Sequence, residues 1–331
     1  GADLSDDALA SEDLPRVAGR ALIGDPRNDE NRVVSQVQLA MIRFHNRLCD
    51  DLAGDHAGGD LYEEAHRLTT WHYQWAVVHD FLTSICGEAV VQDVLSEGRQ
   101  IYRPKVPFMP VEFSVAAYRF GHSMVPMKVQ LQKDKSSFEL FGTVFGEGFS
   151  PITDARAVAD MHELFTTHEG RHVQRADALD TKLASDLLQL PIPVVGAGEA
   201  SLATRNLVRG QSFLLPSGET VAELCGRPEA EIAQISDAAK AEVPGLGGGT
   251  PLWYYLLKEA ALIGRLDASG TGEPGEGLGP VGARIVAEVI IGLIELDRRS
   301  WLGANRNWRP LENQDQPGVM LDTVGHILTY R

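Results

Sequence analysis

Apolar side chains recur every three or four positions between residues 31 and 52, which is the period of one face of an α-helix. The apolar residues on this face are Val33, Val34, Val37, Met41, Phe44 and Leu48. Asn28 or Asp29, which stands just before the pattern begins, is expected to cap the amino end of this helix. The segment therefore predicts a long amphipathic helix that turns one face towards a core.

The same period predicts further helices along the chain and leaves little room for strands. Helices are expected over residues 61–85, 89–95, 111–127, 155–164, 178–188, 202–210, 217–224, 229–243, 251–266 and 280–296. Residues 138–145 are apolar without a helical period, so they predict a short strand or a loop. The expected fold is mainly α with very little β. We expect residues 1–19 to form a polar lead-in and residues 20–331 to form a single α-helical domain.

Composition and charge exclude several classes of protein. The chain has 331 residues, 44% of them hydrophobic, and a formal net charge of −16. An acidic surface disfavours nucleic acid and anionic membranes as partners, because both carry negative charge. The longest apolar stretch, residues 286–296, is interrupted by Glu288, Gly292 and Glu295, so no membrane span is expected. Three cysteines without a CxxC motif predict neither a disulfide framework nor a cysteine-based zinc site.

Three short segments combine glycine, arginine and other polar residues in patterns that could carry chemistry. They are GDPRNDE at residues 24–30, YRFGHS at residues 118–123 and RNLVRG at residues 205–210. Taken singly, each has an ordinary interpretation. Arg27 and Glu30 have the spacing of a helix-surface ion pair, His122 beside a glycine is more often structural, and Asn206 suits a cap or turn.

Together and in this order, the segments resemble the animal-type haem peroxidases of the peroxidase–cyclooxygenase superfamily, with the bacterial branch as the closer match. The matching stretches are GDPRNDEN, QLAMIRFHNRL, AYRFGHSMV, RNLVRG, TPLWYYLLKEA and LGPVGARIVAEVIIGLI. The resemblance runs from about residue 15 to residue 331 and is least distinctive over residues 127–188. It implies a haem-dependent enzyme that reduces hydrogen peroxide and oxidises a halide, a phenol or another small organic donor through an oxoferryl intermediate. Haem b would lie between the 27–30 segment and the helix that carries the histidine of the second segment.

The resemblance also implies a role for each of five residues. His122 corresponds to the proximal ligand of the haem iron. Asn206 corresponds to the amide that accepts the other ring N–H of that histidine and orients it. Arg27 corresponds to the distal arginine that polarises bound peroxide. Arg119 and Arg209 correspond to the arginines that pair with the haem propionates.

Two neighbouring positions bear on how the haem would be attached. Glu30 corresponds to the carboxylate that forms an ester with a haem methyl group in some family members. The next residue is Asn31, where the myeloperoxidase branch has the methionine of its sulfonium link. The resemblance therefore allows an ester link through Glu30 and predicts that the sulfonium link is absent.

The family's distal histidine, a neighbouring aspartate and a calcium-binding loop all lie upstream of the GDPRNDE segment. This chain does not contain them, and no histidine precedes His45. Calcium is expected in the complete protein, with ligands outside this chain. Three explanations stay open. The distal histidine belongs to a light chain or a separate N-terminal segment, the sequence is a piece of a longer protein, or the chain is a truncated or inactive homologue that binds haem without turnover.

Two further functions stay open beside peroxidase activity. His168, Glu169 and His172 form an HExxH motif, which is the pattern of a zinc hydrolase, although Gly170 weakens a helix there. A fatty-acid dioxygenase of the cyclooxygenase kind would place a tyrosine close to the proximal histidine, and Tyr118 is near it in sequence. The sequence leaves the location undecided between a bacterial cytoplasm and secretion.

Overall fold

Helices form most of the structure, which is a computed structural model that describes residues 6–142, 148–167, 170, 173–191 and 196–331. The helices of the first half are α1 (Asp6–Ser11), α2 (Arg32–Leu52), α3 (Gly58–Ala76), α4 (Leu82–Cys86), α5 (Glu88–Glu97) and α6 (Met161–Leu164). Those of the second half are α7 (Ser185–Leu188), α8 (Leu202–Ser212), α9 (Gly218–Leu224), α10 (Glu229–Glu242), α11 (Leu252–Leu262), α12 (Pro280–Leu296), α13 (Trp301–Ala304) and α14 (Val324–Thr329). The mainly α fold predicted from the sequence is confirmed.

Strands in the described part of the chain are two residues long and pair in three antiparallel hairpins. They are β1 (Arg16–Val17) with β2 (Arg20–Ala21), β3 (Lys128–Val129) with β4 (Phe138–Glu139), and β5 (Arg265–Leu266) with β6 (Gly272–Glu273). The strand expected within residues 138–145 is present as β4, and residues 143–147 lie outside the described residues. No helix in the described ranges is both long and apolar enough to cross a membrane.

The chain divides into two compact units. Unit 1 comprises residues 1–76, 126–175 and 309–331, and unit 2 comprises residues 77–125 and 176–308. The assignment of residues 20–331 to a single domain, with residues 1–19 as a lead-in, stays a prediction.

In unit 1, α2 forms one wall of the core. Its amino end is capped by Asn31, whose side-chain oxygen accepts the backbone N–H of Val34 at 3.0 Å. The prediction that Asn28 or Asp29 caps this helix is wrong, because both belong to the preceding 3₁₀ turn, Pro26–Asp29. One cluster of the buried core beside α2 consists of Ala40, Val129, Leu131, Ala159, Met161 and Leu328.

In unit 2, α12 is the central helix, and it packs against α4, α5, α11 and α13. Two carboxylates without any solvent exposure organise its surroundings. Glu288 accepts backbone N–H groups of Gln100, Ile101 and Tyr102 at 2.8–2.9 Å. Glu259 accepts the N–H groups of Val281 and Gly282 in the first turn of α12 at 3.0–3.2 Å. Both carboxylates thereby satisfy backbone donors that burial has removed from water.

Several predicted helices are shorter or less regular than expected. The helix expected over 61–85 is divided by a π-helical turn, Val77–Phe81. The helix expected over 111–127 is a π-helical turn, Glu112–Ala116, followed by a 3₁₀ helix, Ala117–His122. Within 155–164, the chain is extended at Asp160, whose side chain caps α6. Of residues 178–188, only α7 is helical, because Leu179 donates its N–H to the Gly275 carbonyl instead of to a helix.

Replacing Glu259 should change how stability depends on pH. Burial raises the pKa of Glu259 to about 7, against 4.5 when it is exposed, and the N–H groups of α12 oppose that shift only in part. Between these values the unfolded chain has lost the proton and the folded chain keeps it, so stability falls as pH rises. We expect the free energy of unfolding of the wild type minus that of Glu259→Gln to fall by on the order of 3 kcal/mol from pH 4 to pH 8. Glu97→Gln, at an exposed carboxylate, is the control, and a pH-independent difference for Glu259→Gln would contradict the assignment.

Candidate functional site

Two segments of unit 2 bring a histidine and an asparagine together. His122 is the last residue of the 3₁₀ helix Ala117–His122, and Asn206 lies on α8, just after the turn that Ser201 caps. The amide nitrogen of Asn206 lies 2.8 Å from Nδ1 of His122. Asn206 is 1% exposed, so this contact is shielded from water. Residues 84 positions apart in sequence are therefore joined by one short polar contact.

The orientation of the Asn206 amide determines which nitrogen of His122 is free. With the amide nitrogen donating to Nδ1, the buried Oδ1 of Asn206 has no hydrogen-bond partner among the described residues. An amide turned by 180° occupies the same volume. In that orientation Nδ1–H of His122 donates to Oδ1, and Nε2 keeps its lone pair free. The turned orientation gives Oδ1 a partner, puts the amide nitrogen in the place that Oδ1 had, and produces the ring tautomer that a metal ligand requires.

Burial and positive charge keep His122 neutral. Its pKa is lowered to about 4, mainly because the ring is removed from water and further because Arg119 and Arg209 are close. Burial also lowers the pKa of Arg119, and Arg209 adds to that effect by repulsion between like charges. At neutral pH the imidazole is therefore uncharged, which is the form that binds a metal ion.

The two arginines lie near His122 and near each other. Arg119 donates its Nε–H to the Ser114 carbonyl at 3.1 Å, and Trp253 on α11 donates its indole N–H to the Arg119 carbonyl at 3.1 Å. No carboxylate of the described residues forms an ion pair with Arg119 or Arg209. Guanidinium groups with donors to spare suit the carboxylates of a haem, so these residues and the neutral His122 fit that cofactor.

Arg27 and Glu30 belong to unit 1 and lie at a turn on its surface. Arg27 is in the 3₁₀ turn Pro26–Asp29, and its side chain is 81% exposed. Asp25 caps the turn by accepting the backbone N–H of Arg27 at 2.9 Å, and it also accepts the Nε–H of Arg27 at 3.0 Å. This pairing lowers the pKa of Asp25 to about 2. Glu30 ends the turn and is exposed.

The contacts of Trp253 and Tyr118 near His122 could not be predicted from the sequence. Trp253 stands in an aromatic stretch that is typical of core packing, whereas its indole N–H donates to the Arg119 carbonyl. A cluster of aromatic residues gives no sign of such a bond. Tyr118 is 46% exposed, and its ring stacks on Phe113 with 4.7 Å between the ring centroids. Apart from Gly170, the HExxH motif lies outside the described residues.

Comparison with known proteins places the chain among peroxidases. Residues 6–243 match the model of the animal haem peroxidase family. Thyroid peroxidase of Mus musculus is 26% identical over 320 residues, which cover 92% of this chain and 34% of that protein. Dual oxidase of Drosophila melanogaster is 23% identical over 215 residues, which cover 62% of this chain and 13% of that protein. The chain thus spans about a third or less of the length of these relatives.

Two solved structures share the fold. Peroxidase A from Dictyostelium discoideum has a TM-score of 0.62 and 18% identity, over 88% of this chain and 54% of that one. A fatty acid alpha-dioxygenase from Arabidopsis thaliana has a TM-score of 0.56 and 15% identity, over 90% of this chain and 51% of that one. These four proteins do not test the bacterial branch, which stays a prediction. Because the family model covers most of its length, the chain belongs to the animal haem peroxidase family.

Proposed function

We propose that this chain forms the haem-binding part of a peroxidase that reduces hydrogen peroxide and oxidises a small-molecule donor. The observation that carries the proposal is the contact between Asn206 and a neutral, half-buried His122. A histidine ligand needs one nitrogen free and the other held, and this arrangement supplies both conditions. When bound, haem b supplies the iron that exchanges electrons with peroxide and with the donor.

The residues around His122 prepare the ring before any cofactor arrives. Asn206 fixes the orientation of the ring. By accepting a hydrogen bond from Nδ1–H, it makes Nε2 a stronger electron donor. Arg119 and Arg209 provide positive charge for the haem carboxylates. The same charges help to keep His122 unprotonated, so one cluster of cations serves both purposes.

We propose that Arg27 and Glu30 serve the peroxide side of the reaction. A guanidinium next to bound peroxide stabilises the negative charge that develops as the O–O bond separates. Glu30 offers a carboxylate for an ester link to the haem. The distal histidine that accepts a proton from peroxide would come from a light chain or an upstream segment. Any calcium ligands would lie there too.

Two alternatives remain, and each has its own readout. A fatty-acid dioxygenase shares the fold, and it would consume oxygen with a fatty acid and without added peroxide. A haem-binding homologue without turnover would take up haem and fail to react with peroxide. An assay of the haem-loaded protein with halide, phenol and other donors would identify which donor it oxidises.

Replacing His122 tests the proposed iron ligand. We expect His122→Ala to lose haem binding, or to bind haem weakly with an altered Soret band, because the ring nitrogen is removed. Absorption spectra and a pyridine haemochrome assay measure both effects. His66→Ala, at an exposed histidine of unit 1, should bind haem like the wild type. Full binding by His122→Ala with an unchanged spectrum would show that another residue holds the iron.

Replacing Asn206 tests the orienting role of the amide. We expect Asn206→Ala to weaken haem affinity by about 10–100-fold, since the ring loses the partner of its Nδ1. The iron–histidine stretching frequency of the reduced protein should fall as well, because the ligand becomes a weaker donor. Gln211→Ala, at an exposed position on α8, is the matched control. An unaltered stretching frequency in Asn206→Ala would contradict the orienting role.

Replacing Arg27 tests the peroxide side separately from haem binding. We expect Arg27→Ala to react with peroxide about 100–1000-fold more slowly, with unchanged haem affinity. Stopped-flow absorption of the haem-loaded protein, with the segment that carries the distal histidine present, gives the rate. Arg156→Ala is a close control, because Arg156 is exposed and pairs with Asp154 as Arg27 pairs with Asp25. Equal rates for both variants and the wild type would remove Arg27 from the mechanism.

A further inference from the structure

A buried ion-pair network contacts the turn that carries Arg27 at its last residue, Asp29. The guanidinium of Arg16 donates to Asp13 at 2.9 and 3.0 Å and to Asp29 at 2.7 Å through each of two nitrogens. The side chains of Arg16, Asp13 and Asp29 are only 8%, 5% and 4% exposed. A further bond joins Arg16 to the Gly19 carbonyl at 3.2 Å. Arg16 thus ties the segment before β1 and the β1–β2 hairpin to the last residue of the turn.

The geometry of this network holds its side chains in a more defined arrangement than an ordinary surface ion pair does. Two parallel N–H bonds to one carboxylate fix both distance and angle. The hydrogen bonds to Asp29 raise the pKa of Arg16 above its ordinary value, so its charge is permanent. Removing one member of a buried pair leaves the other charge without compensation.

A second attachment holds the backbone of the same turn. Phe149 donates its N–H to the Asp29 carbonyl at 2.7 Å. At Gly148, a Cβ would lie 1.9 Å from the Glu30 carbonyl oxygen, so the two backbones touch where no side chain fits. Ile152 donates its N–H to the carboxylate of Asp13 at 2.8 Å, which joins residues 148–152 to the Arg16 network.

The helix that follows the turn, α2, is held by hydrogen bonds that do not involve Arg16. Asn31 caps α2, and the buried Arg32 donates to the Ser150 carbonyl at 2.9 Å. Loss of the Arg16 network should therefore loosen the turn and leave α2 folded.

We propose that Arg16 is a positioning residue, which acts through Asp29 to fix the Pro26–Asp29 turn and so sets the place of Arg27. The part of this inference that concerns peroxide rests on the proposed function of Arg27. The part that concerns the turn does not.

Hydrogen exchange on the whole chain tests the positioning directly. The amide protons of Asn28 and Glu30 are bonded within the turn, so their exchange rates report its order. We expect Arg16→Met to speed exchange in residues 27–30 by at least about tenfold and to leave residues 36–50 of α2 unchanged. Arg43→Met is the control, because Arg43 also binds the lead-in, at the Ser11 carbonyl and Glu12, and has no bond to the turn.

A second readout separates positioning from general stability. In the haem-loaded protein with the distal-histidine segment present, Arg16→Met should react with peroxide at least about tenfold more slowly at unchanged haem affinity, while Arg43→Met keeps the wild-type rate. If Arg16→Met does not fold, Asp29→Asn removes one charge and keeps the size of the side chain. It should give the same two effects in weaker form.

The outcomes distinguish this inference from the proposed function. The positioning role would be overturned if hydrogen exchange in residues 27–30 is as slow in Arg16→Met and Asp29→Asn as in the wild type. It would also be overturned if that exchange is already complete in the wild type. Faster turn exchange with a normal peroxide rate would overturn the link to Arg27. A wild-type protein that includes the distal-histidine segment, binds haem and does not react with peroxide would refute the proposed turnover. Faster turn exchange in the variants would still support Arg16 as the residue that fixes the turn.

Discussion

A half-buried imidazole needs a partner for its second ring nitrogen, and in this protein Asn206 supplies that partner to His122. The contact joins two helices of unit 2 and fixes the ring plane, while burial and two nearby arginines keep the ring neutral. Orientation, protonation state and surrounding charge are therefore set by the fold itself. With His122 as the proposed haem ligand, little rearrangement would oppose binding of the cofactor.

The regular helices could be predicted from the sequence because their apolar periods are long. α12 has the predicted bounds, 280–296, and α2 begins within one residue of the expected start. The segment 111–127 could not be predicted as it is, because its apolar spacing also fits π and 3₁₀ turns, and the choice depends on tertiary packing. The segment 178–188 has helical composition, but near its start Leu179 donates its N–H to the distant Gly275 carbonyl.

The candidate site could be located from sequence only through a family resemblance. No local pattern links His122 to Asn206, since contacts between distant segments leave no periodic signal. The Arg16 network was missed for the same reason. Asp13 and Arg16 were assigned to a polar lead-in, yet their side chains are buried against Asp29. Charged residues near a chain end usually face solvent, so burial there is visible only in three dimensions.

His122, Arg119 and Arg209 belong to unit 2, and Arg27 belongs to unit 1. The central claim is that unit 2 presents a prepared haem ligand. A titration of the purified chain with haem, followed by Soret absorbance with intact mass measured on the same sample, tests this claim most directly. It should saturate at about one haem per chain with the spectrum of histidine-ligated iron. Absence of a saturable Soret band, even with excess haem, would contradict it.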